Sequence, residues 1–228
     1  TWCGRIITDG RWEVCGSGEL RAPVIGSERT AEELGRAFPG ILVRESSGDR
    51  VIEEVGEQPA LVVATPGAEP PAAHGYAAAV FLDAERLLER PDLRAAEEGL
   101  RRWLNAVALV RPGSQGGTVC VVGPAQVRPV QALVRMDPAR HAEFELADRA
   151  EAGYPPAIRF ITATGPAAAL AELIDLLGTD SGADLLGPVE LAPQLTAIGQ
   201  EEPLWQLSLR APLASGAELV AKVKAALA

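Results

Sequence analysis

Ala60-Leu61-Val62-Val63-Ala64, closed at once by Thr65-Pro66-Gly67, is a five-residue apolar run with no polar alternation. A short run of this kind, rich in β-branched residues and ended by turn formers, reads as a strand covered on both faces, the type that fills a parallel sheet. Working outward, Ile41-Leu42-Val43 precedes it, and Ala77 to Leu82 and Thr118 to Val122 follow it with the same pattern. Helical segments fall between these runs. Ser27 or Thr30 can cap a first helix, with Thr30 and Glu33 at capping-box spacing, Leu34 and Phe38 on its inner face, and Pro39-Gly40 as its stop. Pro91-Asp92 opens a longer helix with Leu93, Ala96, Leu100, Trp103, Leu104 and Val107 on one side, broken at Gly113 to Gly117. Strands alternating with helices predict an α/β fold with a parallel sheet.

Asp137-Pro138 starts a further helix, Asp as N-cap and Pro in the first turn, which Gly153 ends. The stiff Tyr154-Pro155-Pro156 then marks a domain boundary. Beyond it the pattern predicts strand 157–163, helix 166–177, strands 184–189 and 204–209, and helix 214–227. This βαββα order suggests a small ferredoxin-like α+β domain without its last strand. Residues 1–23 hold Cys3 and Cys15 among Gly, Arg and Trp and show no sustained period. The expected organisation is therefore 1–23, 24–153 and 154–228.

The chain has 228 residues, 47% hydrophobic and 23% charged, enough apolar material for one large or two small cores. No run approaches the ~18 apolar residues of a membrane span. Thr1 opens neither a signal peptide nor a chain with an initiator Met, so a piece of a longer protein is expected. Three cysteines make no even disulfide framework and favour a reducing cytosol. The only lysines are Lys222 and Lys224, and a Walker A loop needs a Lys to reach the phosphates, so no complete P-loop is present. Two histidines, His74 and His141, stand near no patterned serine, which argues against a Ser-His-Asp centre.

The net charge of −10 is not that of a generic nucleic-acid binder. It is unevenly spread. Leu100 to Arg140 carries Arg101, Arg102, Arg111, Arg128, Arg135 and Arg140 against Asp137 alone, a local +5 that leaves −15 for the rest. Such a reversal suits a patch that tracks phosphates. It equally suits a solvated helix face with Arg101 and Arg102 paired to Glu97 and Glu98. Cys3-Gly4 and Cys15-Gly16 have the form of zinc-knuckle halves, but two cysteines cannot close a four-ligand site, and a pair of free thiols is the alternative. Leu82-Asp83-Ala84-Glu85 looks like the acidic end of a Walker B strand, yet without a P-loop it reads as an exposed strand terminus. Thr65-Pro66-Gly67 has the backbone for a phosphate cradle. The adjoining Ala68-Glu69-Pro70-Pro71 adds a negative charge and removes two N–H donors, so an ordinary loop is expected.

Several of these words occur in one order. Cys15-Gly16-Ser17, Gly26 to Leu34, Phe38-Pro39, Leu82 to Glu85, Pro91 to Glu97, Tyr154-Pro155-Pro156, Leu186-Gly187-Pro188 and Trp205-Gln206 together resemble the PriA family of replication-restart primosomal proteins. The resemblance implies part of a cysteine-rich zinc element, a second RecA-like helicase lobe and a C-terminal domain. It also implies that Cys3 and Cys15 belong to two different zinc sites, with Trp12 standing where one ligand pair would begin. Two departures bear on activity. Ala68-Glu69-Pro70-Pro71 replaces the family's Lys-Gly signature between Gly67 and Gly75. In the segment matching the helicase motif, Asn105 to Arg111, Leu109 takes the place of the first Arg, Arg111 only approximates the second, and the motif's glycines are gone. An arginine finger stabilises charge on the transferring phosphate, which Leu cannot do.

The expected function is thus that of a non-catalytic family member. It would bind branched, stalled-fork or single-stranded DNA and help reload the replisome in the cytoplasm. Arg101, Arg102, Arg111, Arg128 and Arg135 would meet DNA, Cys3 and Cys15 would meet zinc, and ATP would not be hydrolysed. Primosome and replisome proteins, with single-stranded-DNA-binding protein among them, are the expected partners. The alternatives are an ATP-dependent helicase of the same family and a protein-interaction scaffold that makes no DNA contact.

Overall fold

A computed structural model describes residues 26–48, 50–178, 182–191 and 203–227. The described residues form a mixed α/β protein in two units, 26–142 and 143–227, and the division falls within one helix.

The first unit begins with α1 (Ser27–Ala37), β1 (Leu42–Ser46) and β2 (Ala60–Ala64). β1 and β2 pair in parallel, Leu42 opposite Ala60 through Ser46 opposite Ala64. β3 (Ala78–Phe81) pairs in parallel with β4 (Thr118–Val121), and the crossover between them carries α2 (Ala84–Leu88) and α3 (Ala95–Val107). The predicted parallel pairing is present, but as two separate two-stranded sheets rather than one. The segment joining β2 to β3 contains Pro66, Pro70 and Pro71, which lack the N–H that a ladder needs.

α3 is amphipathic as expected, and its buried side, Leu100 and Trp103, packs with Ala84 of α2 and with Val130 and Leu133 of α4 (Arg128–Arg135). Phe81 and Trp103 rings lie 6.5 Å apart, tilted by 33°. α4 is an element that the sequence pattern did not bring out; Pro129 sits in its first turn, where a missing N–H costs nothing. Two residues assigned to inner faces are outside. Phe38 is exposed because α1 ends at Ala37 and buries no residue, and Leu93 is exposed because α3 starts only at Ala95. Gly26, not Ser27 or Thr30, is the N-cap of α1. The Ser27 hydroxyl donates instead to Glu45 Oε1 at 2.6 Å.

α5 (Pro138–Ala152) starts as its sequence predicts, with the Arg140 N–H donating to Asp137 Oδ1 at 3.0 Å. In the second unit β5 (Ile158–Gly165), α6 (Ala167–Leu177), β6 (Asp184–Glu190), β7 (Trp205–Pro212) and α7 (Gly216–Ala226) follow in the predicted order. The sheet order is β5-β7-β6, antiparallel throughout, so β7 lies between the two strands of a split βαβ unit. Leu207, Leu209 and Ala211 of β7 point inward against Leu170, Leu173 and Leu177 of α6 and Leu219 and Val223 of α7. Leu207 and Leu209 are 0% exposed. Leu207→Ala leaves a cavity at the centre of this core and is expected to lower the unfolding free energy by about 3 kcal/mol. Urea denaturation followed by far-UV circular dichroism checks the value.

Candidate nucleic-acid interface

The solvent side of α3 carries Glu98, Arg101 and Arg102 one helical turn apart, the spacing at which side chains meet. Both arginines close on the same carboxylate. Arg101 donates from Nε and Nη2 to the two oxygens of Glu98, each at 2.7 Å, and Arg102 Nε donates to Glu98 Oε1 at 2.7 Å. These hydrogen bonds hold the Glu98 carboxyl at a pKa of about 2, well below the usual carboxylate range. Arg102 reaches further, its Nη1 donating to the Pro66 carbonyl at 2.9 Å. It therefore ties α3 to the loop after β2.

That loop is the one with a phosphate-cradle backbone, and its donor is engaged. The Gly67 N–H donates to Glu69 Oε2 at 2.8 Å, and the Ala68 N–H to the Thr65 carbonyl at 2.9 Å. Both N–H groups are thus satisfied within the loop itself, as in an ordinary turn.

Arg111 follows α3 on a main chain with little freedom. Its N–H donates to the Tyr76 carbonyl, and the Tyr76 N–H donates to the Leu109 carbonyl, both at 2.9 Å. Gly117 lies so close that a Cβ there would stand 1.7 Å from the Arg111 carbonyl oxygen, which only glycine permits. Arg111 Nε is buried and has no hydrogen-bond partner among the described residues. Arg128 and Arg135 stand at the two ends of α4, both exposed, and Arg135 donates to the side chain of Gln131. The structure thus brings Arg101 and Arg102 together on one carboxylate and sets Arg128 and Arg135 on the helix that packs against theirs.

Asp83 ends the β3 side of the unit in a left-handed conformation, φ 50°, and pairs at 3.5 Å with Arg86. Trp103 is buried in the core and Trp205 packs against the core of the second unit, which is where side chains of that size are expected. His141 is buried, and neither of its ring nitrogens has a partner among the described residues. Cys3 and Cys15 lie outside the described residues. Among those described, no group of three or more His, Cys, Asp or Glu could hold a metal ion, and Cys120 is exposed. No described helix is long and apolar enough to cross a membrane.

Sequence reasoning offered Glu97 and Glu98 as partners of Arg101 and Arg102, and the structure sets both arginines on Glu98. Glu97 and Glu98 are both within reach of the arginines, and only Glu98 stands at i,i+3 to one and i,i+4 to the other. That double spacing was the available signal. Glu69 as partner of the Gly67 N–H had a weaker one, its charge beside a glycine turn.

Residues 150–228 match the family of the primosomal protein N C-terminal domain. The probable replication restart protein PriA of Mycobacterium leprae (strain TN) is 50% identical over 98% of this chain and 35% of its own length. Proteins of the same description from Mycobacterium tuberculosis (strain CDC 1551 / Oshkosh) and Mycobacterium bovis (strain ATCC BAA-935 / AF2122/97) are 47% identical over the same shares. The chain spans about a third of the length of these curated relatives, 35% in each.

Glu98 supports folding through its ionised form. Its folded pKa of about 2 lies below the usual 4.5, so its contribution is complete above pH 4.5 and disappears as pH falls through 2. Glu98→Gln is therefore expected to flatten the acid limb of the stability curve between these values, with the slope near neutrality unchanged. Thermal melts of both proteins from pH 2 to 7 check this.

Proposed function

We propose that this chain, a PriA-family sequence over 98% of its length, serves replication restart by binding branched or stalled-fork DNA. It acts as a support on which replisome and primosome proteins reload, single-stranded-DNA-binding protein among its partners, in the cytoplasm with the chromosome. In this reading residues 24–153 are a second RecA-like lobe that no longer drives hydrolysis, 154–228 are the C-terminal domain, and 1–23 are part of a zinc element to which Cys3 and Cys15 contribute. Arg101, Arg102, Arg111, Arg128 and Arg135 meet the DNA backbone, where guanidinium groups pair with phosphates and fix position without reading sequence.

One observation carries the non-catalytic part of the reading: the loop after β2 has its Gly67 N–H on Glu69 and its Pro66 carbonyl on Arg102. A lobe that cycles on a nucleotide needs an N–H and a guanidinium of this kind open for phosphate. The Leu at position 109, where the resemblance expects an Arg, points the same way.

Fluorescence anisotropy with a labelled three-way-branched DNA, run from 50 to 300 mM salt, tests the reading. Every phosphate left unneutralised should lower the slope of log affinity against log salt by about 0.9. The Arg101→Ala/Arg102→Ala/Arg111→Ala variant is expected to show a shallower slope by about two to three and weaker binding at low salt. Equal affinity and slope in wild type and variant would remove the patch from the interface. Failure of the chain to bind any DNA at 50 mM salt would favour a scaffold that contacts only proteins.

A further inference from the structure

The sheet of the second unit packs both its helices, α6 and α7, on one face. Alternation along β7 sends Leu207 and Leu209 into that core, which leaves Gln206, Ser208 and Arg210 on the opposite face. The register places Phe160 of β5 and Asp184 of β6 on either side of Arg210, Leu186 beside Ser208, and Val189 beside Gln206. Arg210 Nε donates to Asp184 Oδ2 at 3.1 Å, so the charge of this arginine is matched within the sheet. Tyr154 stacks on Phe160 with ring centroids 6.3 Å apart and planes 27° from parallel. Tyr154 is 46% exposed, Leu186 42% and Val189 63%. A polar centre thus lies between an aromatic pair at one corner and two aliphatic side chains on the far flank.

With strands about 4.8 Å apart and same-face residues about 6.7 Å apart along each, Leu186 stands about 12 Å and Val189 about 16 Å from Phe160. At roughly 1.5 Å rise per residue these are the separations of positions i, i+8 and i+11 on one α-helix, all within a single apolar stripe. The face therefore offers anchors to the apolar side of an amphipathic helix laid diagonally across it as a third layer. The charge of the unit selects among such helices. Residues 143–228 hold twelve acidic and five basic side chains, so a basic outer side is attracted and an acidic one repelled. The same sign works against a polyanion and against a second copy of a chain at −10. Strand addition at β6 is hindered by the bulge between Leu186 and Val189, where Pro188 lacks an N–H. We infer that the open face of β5-β7-β6 docks a basic amphipathic helix of a protein partner. The inference names a partner's chemistry for the support role proposed above and rests on that role, not on its DNA contacts. The face measures about 14 Å by 23 Å, far below the ~800 Å² a side of a stable interface, so the docking is transient.

Nitrogen-15 NMR of the full chain, titrated with a synthetic helical peptide that carries leucines at i, i+4, i+8 and i+11 on an alanine–lysine background, tests it. Wild type is expected to bind with a dissociation constant of about 10–100 μM and to shift the amides of Thr162, Gln206, Ser208 and Val189. Leu186→Ser/Val189→Ser, which removes two exposed aliphatic side chains, is expected to weaken binding about tenfold, and its melting temperature verifies folding. Val134→Ser, at a similarly exposed valine on α4, should leave the affinity unchanged. Glutamates in place of the lysines should weaken wild-type binding about tenfold or more at low salt. Equal binding of a peptide with its leucines scattered round the helix would reduce the contact to charge and overturn the inference. Equal binding of the glutamate peptide, or shifts confined to other surfaces, would overturn it too. Branched DNA titrated into the same samples keeps the outcomes apart. No peptide binding with DNA still bound overturns the inference alone, and no binding of either brings down the reading beneath it as well. Peptide binding without DNA binding upholds the inference and favours a scaffold that contacts only proteins.

Discussion

Glu98 is the point on which the described surface of the first unit turns. Its two oxygens accept three hydrogen bonds of 2.7 Å from Arg101 and Arg102, so a single negative charge organises two guanidinium groups. Arg102 carries the connection across to the Pro66 carbonyl, 36 residues away in sequence. An exposed pair on one helix contributes little to stability by itself. This one differs in reaching a loop from another element, and the buried side of the same helix, Leu100 and Trp103, is anchored in the core. The outer face of α3 is consequently fixed in position by packing and in chemistry by one carboxylate.

Two carboxylates, Glu98 and Glu69, engage groups that the proposed reading assigns to phosphate, and they act on different groups. Glu98 pairs side chains that remain on the surface and can exchange one anion for another. Glu69 engages a backbone N–H within its own loop, next to Pro66, Pro70 and Pro71, which leave that segment few alternative hydrogen bonds. The first arrangement is compatible with a surface that meets a DNA backbone, and the second with a lobe kept as architecture. The relatives that this chain resembles are named for replication restart, the process to which the proposed function assigns it.

Much of the second unit was legible because its signals are local. The β5-α6-β6-β7-α7 order follows from apolar runs of two clear periods, and Leu207 and Leu209 alternate with Gln206, Ser208 and Arg210 along one strand. The Asp137 cap was legible for the same reason, since one side chain serves an N–H three residues on. What escaped depends on partners that sequence spacing leaves undecided. α4 is only eight residues long, too short for a clear period, and has its Pro129 in the first turn, where a proline is acceptable. Phe38 looked like a core residue at i,i+4 from Leu34, but the helix stops one residue short of it. The convergence of Arg101 and Arg102 on Glu98, the hold of Glu69 on Gly67, and the stacking of Tyr154 on Phe160 across two prolines each need the folded chain.

In the proposed reading the loop after β2, with its Gly67 N–H on Glu69 and its Pro66 carbonyl on Arg102, does not take up a nucleotide's phosphates. Nitrogen-15 NMR of the chain titrated with magnesium and a non-hydrolysable ATP analogue reads this through the Gly67 amide and the Arg102 and Arg111 guanidinium signals. All three are expected to stay unmoved up to millimolar nucleotide. Saturable shifts of the Gly67 amide together with the Arg111 guanidinium would instead reveal a working phosphate site, and the lobe could no longer be regarded as architecture alone.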